Sequence, residues 1–272
     1  MDIVFMGSPD FAVNSLEKLA RSKEVNVKAV VTQPDRKKGR GQKKQGTAVK
    51  KKAVELNLEV FTTDNVNEKK FKEKLEKLSP QALVVVAFGQ KLSKELLNLA
   101  DYGAINLHAS LLPKYRGSSP IHQAIINGDK KSGVTTMYMN EELDKGDIIY
   151  KKEITINRDD TVGHLHDKLA NLGADLLLKT LIDIEKGKAK QIAQNEDKAT
   201  YAPKIDKNFG KINWEKSAEE IYNFVRGVNP WPGAYSKLND KLLNIWQVSL
   251  VRDKFSKKQG EIAEIIEANT ED

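Results

Sequence analysis

The chain has 272 residues, 39% hydrophobic and 31% charged, with a formal net charge of +7 and no cysteine. That length holds one large domain, or a large and a small one, and the missing cysteine excludes disulfides and thiolate metal sites. The opening MDIVFMGSPDF lacks the basic start and apolar stretch of a signal peptide, and no run approaches the ~20 apolar residues of a membrane helix, so a cytoplasmic protein is expected.

Ile3–Met6 is a short apolar strand running into Gly7-Ser8-Pro9-Asp10. Ala12, Leu16, Leu19 and Ala20 then recur on one helical face, and Val25–Val31 reads as a second strand. Between Arg36 and Lys52 stand nine basic residues and no acid, with three glycines and no hydrophobic periodicity. This segment reads as an exposed loop. The tail from Asn208 onward is nearly neutral, with nine basic and ten acidic residues, so the loop holds the chain's whole charge excess. A cationic cluster so localised suits a polyanionic partner.

A helix carrying Phe71, Leu75 and Leu78 leads to Ala82–Phe88, apolar throughout as in a strand covered on both faces. Ala104–His108, Val134–Met139 and Ile148–Ile156 are the remaining strands, and Val162–Ile184 is a long amphipathic helix. Strands alternating with helices imply an α/β fold with a doubly wound, mostly parallel sheet over residues 1–190. The polar stretch Gln191–Lys207 reads as a linker. Residues 208–272 follow as a small β-rich domain, with a helix at Ala218–Val225, the turn Pro230-Trp231-Pro232-Gly233 and a strand-like Leu242–Trp246.

Asn106-Leu107-His108 ends a predicted strand, and residues i and i+2 share a face, so Asn106 and His108 project together. At the carboxyl end of a parallel strand they would open into the ligand crevice of such folds. An amide donor beside an imidazole suits acyl-type transfer, one holding a developing oxyanion and the other moving a proton. The bland reading of the pair is a hydrogen-bonded structural histidine.

The run NLHASLLPKYRG, Asn106 to Gly117, resembles the signature of the folate-dependent formyltransferases. MGSPDFA, QPDRKKGRG, VVVAFGQ, MNEELDKGD, YAPKI and RGVNPWPGAY match the same family in order, over Met1 to about Tyr235. The resemblance implies formyl transfer from 10-formyltetrahydrofolate to an amine, with no metal. Asn106 would hold the oxyanion, His108 would relay protons, and Asp144 would orient the imidazole and take the amine's proton. Ser110, Leu111, Leu112 and Pro113 would form part of the folate site, and Val85–Gln90 would either line it or serve the sheet core. Arg116 would either fix this loop or lie at the surface.

Within the family the chain is most similar to the branch that acts on initiator methionyl-tRNA. Its loop would grip the acceptor arm through Arg36, Arg40, Lys43 and Lys44, with Arg40 in GRG matching the residue that engages the arm. The tail resembles the family's small OB-like barrel, a fold suited to nucleic acid, and stops short of the usual last strands, as a shorter version or an incomplete chain would. Trp231 would anchor the two domains, and a monomer is expected. His122, His164 and His166 read as surface or packing residues.

Other readings fit less well. A nicotinamide dehydrogenase would want G-x-G-x-x-G where MGSPDF has a single glycine. Formyltransferases acting on a purine-pathway amine or an amino sugar, and the hydrolase unit of formyl-folate dehydrogenase, have no use for the basic loop. A non-catalytic RNA-binding module would interleave aromatics with the lysines, and Arg36–Lys52 has none.

Overall fold

The computed structural model describes residues 1–38 and 43–250, and only the backbone of Lys38 and Lys43. Strand β1 (Asp2–Gly7) is apolar on both faces: Ile3 and Phe5 enter one core, Val4 and Met6 another, and all four are fully buried. A strand buried on both sides needs cover on each. The chain provides it through α1 (Val13–Ala20), β2 (Asn26–Thr32), β3 (Arg36–Lys38), β4 (Lys43–Gln45), α2 (Ala48–Glu55), β5 (Val60–Thr62), α3 (Lys69–Glu76), β6 (Ala82–Val86), α4 (Lys94–Leu97) and β7 (Ala104–His108). There follow β8 (Arg116–Gly117), α5 (Pro120–Ile126), β9 (Lys131–Tyr138), β10 (Ile148–Thr155), α6 (Val162–Glu185), β11 (Tyr201–Ala202), α7 (Ala218–Gly227), β12 (Ala234–Leu238) and β13 (Lys241–Ile245).

The main sheet has seven strands in the order β10-β9-β7-β6-β1-β2-β5. From β7 to β5 they run parallel, and β9 and β10 extend the sheet antiparallel. After β1 the chain winds outward to β2 and β5, then returns to β6 on the other side of β1. The strand order therefore reverses between β1 and β6, and a crevice opens beyond their carboxyl ends and that of β7.

One face is covered by α1, α2, α5 and α6, with Leu16, Leu19, Val49, Ala53, Leu165, Leu169 and Leu177 in its core. The other is covered by α3 and α4 through Leu75, Leu96 and Leu97. At 24 residues, α6 is about 36 Å long. Its N-cap is Thr161, whose hydroxyl accepts from the His164 amide. No helix among the described residues is long and apolar enough to cross a membrane.

The basic segment is not one loop, and this corrects the sequence reading. β3 and β4 pair as an antiparallel ribbon, Arg36 opposite Gln45 and Lys37 opposite Lys44. Helix α2 then starts at a Thr47 N-cap, whose hydroxyl accepts from the Lys50 amide at 3.0 Å. Val49 and Ala53, four residues apart, bury its inner face. The three consecutive lysines between them hide that stripe from a periodicity argument.

The stretch 191–207 is bonded to the N-terminal domain at several points. Ile192 bridges Ile148, and β11 pairs in parallel with β8. The Arg116 amide donates to the Thr200 carbonyl at 2.8 Å, and the Tyr115 amide to the Thr200 hydroxyl at 2.9 Å. Beyond it, Ile212, Val225, Val228 and Ala234 form a separate small core. The Ser217–Glu220 capping box starts α7, and the β12–β13 hairpin turns through Asn239 and Asp240, both at positive φ.

Candidate active site

Asn106 and His108 are 9% and 7% exposed at the end of β7. The His108 Nε2 lies 2.9 Å from the Tyr115 carbonyl oxygen. A carbonyl can only accept, so Nε2 carries the proton, and Nδ1 faces the Asp144 Oδ1 at 3.7 Å. The Asn106 carboxamide makes no hydrogen bond to another of the described residues, and it lines the cavity described below.

Asp144 lies on the β9–β10 connection with φ at 52°, a left-handed conformation uncommon outside glycine. Its Oδ2 accepts the Gly117 amide at 2.7 Å. Gly117 itself has φ at 109°, and a Cβ there would stand 2.7 Å from the Ala202 carbonyl oxygen, so only glycine suits this junction. Gly146 is required for a different reason: a Cβ would fall 1.6 Å from the Tyr138 carbonyl oxygen.

Tyr115, which anchors the imidazole, has φ at 60°. Its hydroxyl donates to Asp129 at 2.8 Å and accepts from the Asn127 amide at 3.0 Å. Burial, reinforced by the Asp129 carboxylate, pushes the phenol up to about 12, so it stays a neutral donor. Left-handed backbone at Ala87, Tyr115 and Asp144 thus gathers around a single site.

Asn106, His108 and Asp144 line one cavity of about 950 Å³. Val85 and Ala87–Gln90 from the end of β6 form part of its wall, with Met137, Met139 and Leu143. Ser110, Leu111, Leu112 and Pro113 are not among the lining residues. Leu112 is fully buried against Met137 and Ile148, and the Ser110 hydroxyl donates to the Lys114 carbonyl at 2.6 Å. The turn therefore stands one layer behind the cavity, touching it through Met137. Arg116, left between two readings by sequence, is fully buried. It donates to Glu196 through two nitrogens at 2.7 and 2.8 Å and holds that carboxyl below its usual range.

Two histidines read from sequence as surface or packing residues, His122 and His166, also line the cavity, beside Trp231, Asp10 and Phe11. Nothing local in the sequence signals this, because α5 and α6 reach the crevice only through tertiary packing. His122 donates from Nε2 to the Trp231 carbonyl at 3.2 Å, and burial lowers its pKa from 6.5. His166 pairs with Asp10 at 3.5 Å and Asp167 at 2.9 Å, and chiefly Asp10 raises its pKa from the same starting value. An NMR titration should find His122 ionising below 6.5 and His166 above it, and Asp10→Asn should bring His166 down. A His166 titration indifferent to Asp10 would refute the pairing. Because its folded value is raised, the His166 pair stabilises fully below the unfolded imidazole value and is lost as pH rises through the folded one.

The basic residues fall into two groups. Arg36, Lys37 and Lys44 are exposed on the ribbon, with Arg36 3.6 Å from Asp64. Lys50 pairs with Asp35 at 2.6 Å and Lys52 with Glu55 at 2.7 Å, so α2 neutralises part of the cluster with acids from outside the segment. Arg40 and the Lys43 side chain lie outside the described residues.

The formyl transferase family model matches residues 1–181, and the model of the formyl transferase C-terminal domain matches 204–271. The chain is 61% identical to a methionyl-tRNA formyltransferase of Halothermothrix orenii, over all of this chain and 87% of that protein. It is 48% identical to one of Clostridioides difficile, over 97% of this chain and 85% of that protein. The fold is also that of the N-formyltransferase from Helicobacter canadensis, solved with folinic acid and dTDP-3-aminofucose. The TM-score is 0.67 at 23% identity, covering 92% of this chain and 88% of that one. By both family models and by these relatives, the chain belongs to the formyl transferase family.

Proposed function

We propose that the chain formylates the amino group of methionyl-tRNA, with 10-formyltetrahydrofolate as donor, to give the formylated initiator tRNA in the cytoplasm. The observation that carries this reading is Asn106, a carboxamide at the end of β7 that lines the switch-point cavity beside His108 and Asp144 and makes no hydrogen bond to another of the described residues. A carboxamide facing the cavity can offer its N–H donors to a substrate oxygen.

The co-substrate supplies the formyl carbon and leaves through its N10. Asn106 donates to the formyl oxygen as the attacking amine loads it with charge, a preorganised contact worth about 3–4 kcal/mol of barrier. Gly117 occupies Asp144 Oδ2, which leaves Oδ1 to accept the proton that the amine gives up. His108, held through Nε2 by the Tyr115 carbonyl, keeps Nδ1 beside that oxygen and passes the proton toward the leaving nitrogen. One C–N bond forms, one breaks, and one proton crosses between the two nitrogens.

The wall from Val85 to Gln90 with Met137 and Met139 gives an apolar slot for a pterin, and Ser110–Pro113 supports it through the Leu112–Met137 contact. Residues 1–190 are the catalytic domain. The part from 208 onward helps hold the acceptor arm, and Trp231 marks where it meets the cavity. The ribbon residues Arg36 and Lys44, with Arg40 and Lys43, contact phosphates.

Purified protein given labelled formyl-folate should load methionyl-tRNA and leave a purine-pathway amine and a nucleotide-linked amino sugar almost unmodified. Comparable transfer to either small amine would overturn the acceptor assignment.

A further inference from the structure

We infer that Gln194 is a positioning residue for the Asp144 carboxylate, acting on the connection that bears it. The inference rests on the proposed role of Asp144. The residues before Asp144, Glu141–Leu143, are exposed, and its own backbone is left-handed, so the connection needs outside support to hold one geometry. Gln194 supplies it from the polar stretch after α6. Its Nε2 donates to the carbonyl oxygens of Asp144 and Gly146, each at 2.8 Å.

The other end of the same amide is also occupied. Its Oε1 accepts from Arg116 Nε at 3.2 Å and from a terminal guanidinium nitrogen at 2.8 Å. Arg116 in turn is fixed by the fork to Glu196. A side-chain amide whose flip would set like groups against each other on both sides has one orientation. Arg116 is followed by Gly117, whose amide holds the Asp144 carboxylate itself. The backbone of Asp144 and its side chain are thus gripped by two arms that start from adjacent residues of β8.

Gln194→Glu separates the two halves of this contact. It keeps an acceptor for Arg116 but has no N–H for the two carbonyls. In the full-length protein, kcat should fall on the order of 10- to 100-fold, with KM for both substrates and thermal stability close to wild type. Gln194→Ala, which loses both halves, should be no faster.

The deciding measurement is the cycle with Asp144→Asn. If Gln194 works through Asp144, the double variant should be scarcely slower than Asp144→Asn alone. Wild-type turnover in Gln194→Glu, or losses that simply multiply, would overturn the positioning role while leaving the proposed chemistry intact. Wild-type turnover in Asp144→Asn would overturn both.

Discussion

His108→Ala should lower kcat by at least ~10²-fold while the protein stays folded. The imidazole is 7% exposed, bonded to the Tyr115 carbonyl and 3.7 Å from the Asp144 carboxylate, so its loss breaks the link between them. Asn106→Ala should fall by a similar factor, because a single oxyanion donor is worth about 10²–10³ in rate. Asp144→Asn is the conservative test at the third position, since asparagine tolerates the left-handed φ of 52°. Single-turnover measurements on each variant, and on the His108→Ala/Asp144→Asn pair, should give a double loss smaller than the product of the single ones. Near-normal turnover of folded His108→Ala would remove the mechanism.

The second large effect should come from the basic ribbon. Six basic residues lie from Arg36 to Lys44. If all contacted phosphates, affinity for tRNA would drop by about 10³-fold between about 50 and 200 mM salt. Replacing the six with serine should flatten that dependence, each lost contact removing somewhat under one unit of the log–log slope. Arg40→Ala should be worse than any single lysine change, because a guanidinium grips phosphate as a fork and an ammonium as a point. Lys50→Ser and Lys52→Ser are the internal controls. Both lysines already have carboxylates within 2.7 Å, so their removal should scarcely alter the slope. An unchanged slope in the six-serine variant would make the ribbon an ordinary solvated surface. A loss in the Lys50 and Lys52 variants equal to that of the ribbon would put the contact surface on α2.

Long apolar strands were the most legible part of the sequence. β1 and β6 bury both faces and announce themselves as unbroken apolar runs, and with the strand–helix alternation around them came the parallel sheet and its crevice. The shared face of Asn106 and His108 followed from strand geometry alone. Asp144 did not. It sits on an exposed connection and reaches the imidazole only through the bend at Gly146, so the family resemblance located it and no periodicity could. Helix α2 was hidden because its buried stripe is two residues wide and flanked by lysines. Gln191–Lys207 read as a linker because its residues are polar. Their partners are the buried Arg116 and backbone carbonyls far away in sequence, which composition does not reveal. His122 and His166 reach the cavity rim through packing that likewise leaves no local mark in the sequence.

The pairing of β8 with β11 also bears on the order in which this protein matures. Thr200 lies 85 residues after the Tyr115 whose amide it accepts, and Glu196 lies 80 residues after Arg116. Every strand of the main sheet is complete by residue 155. On a ribosome, where domains form as the chain emerges, the scaffold can close while the contacts that aim Asp144 and Tyr115 are still unmade. Contacts this distant along the chain form slowly. Competence should therefore arrive later than compactness, and a nascent chain would remain inert until its polar strap is laid down.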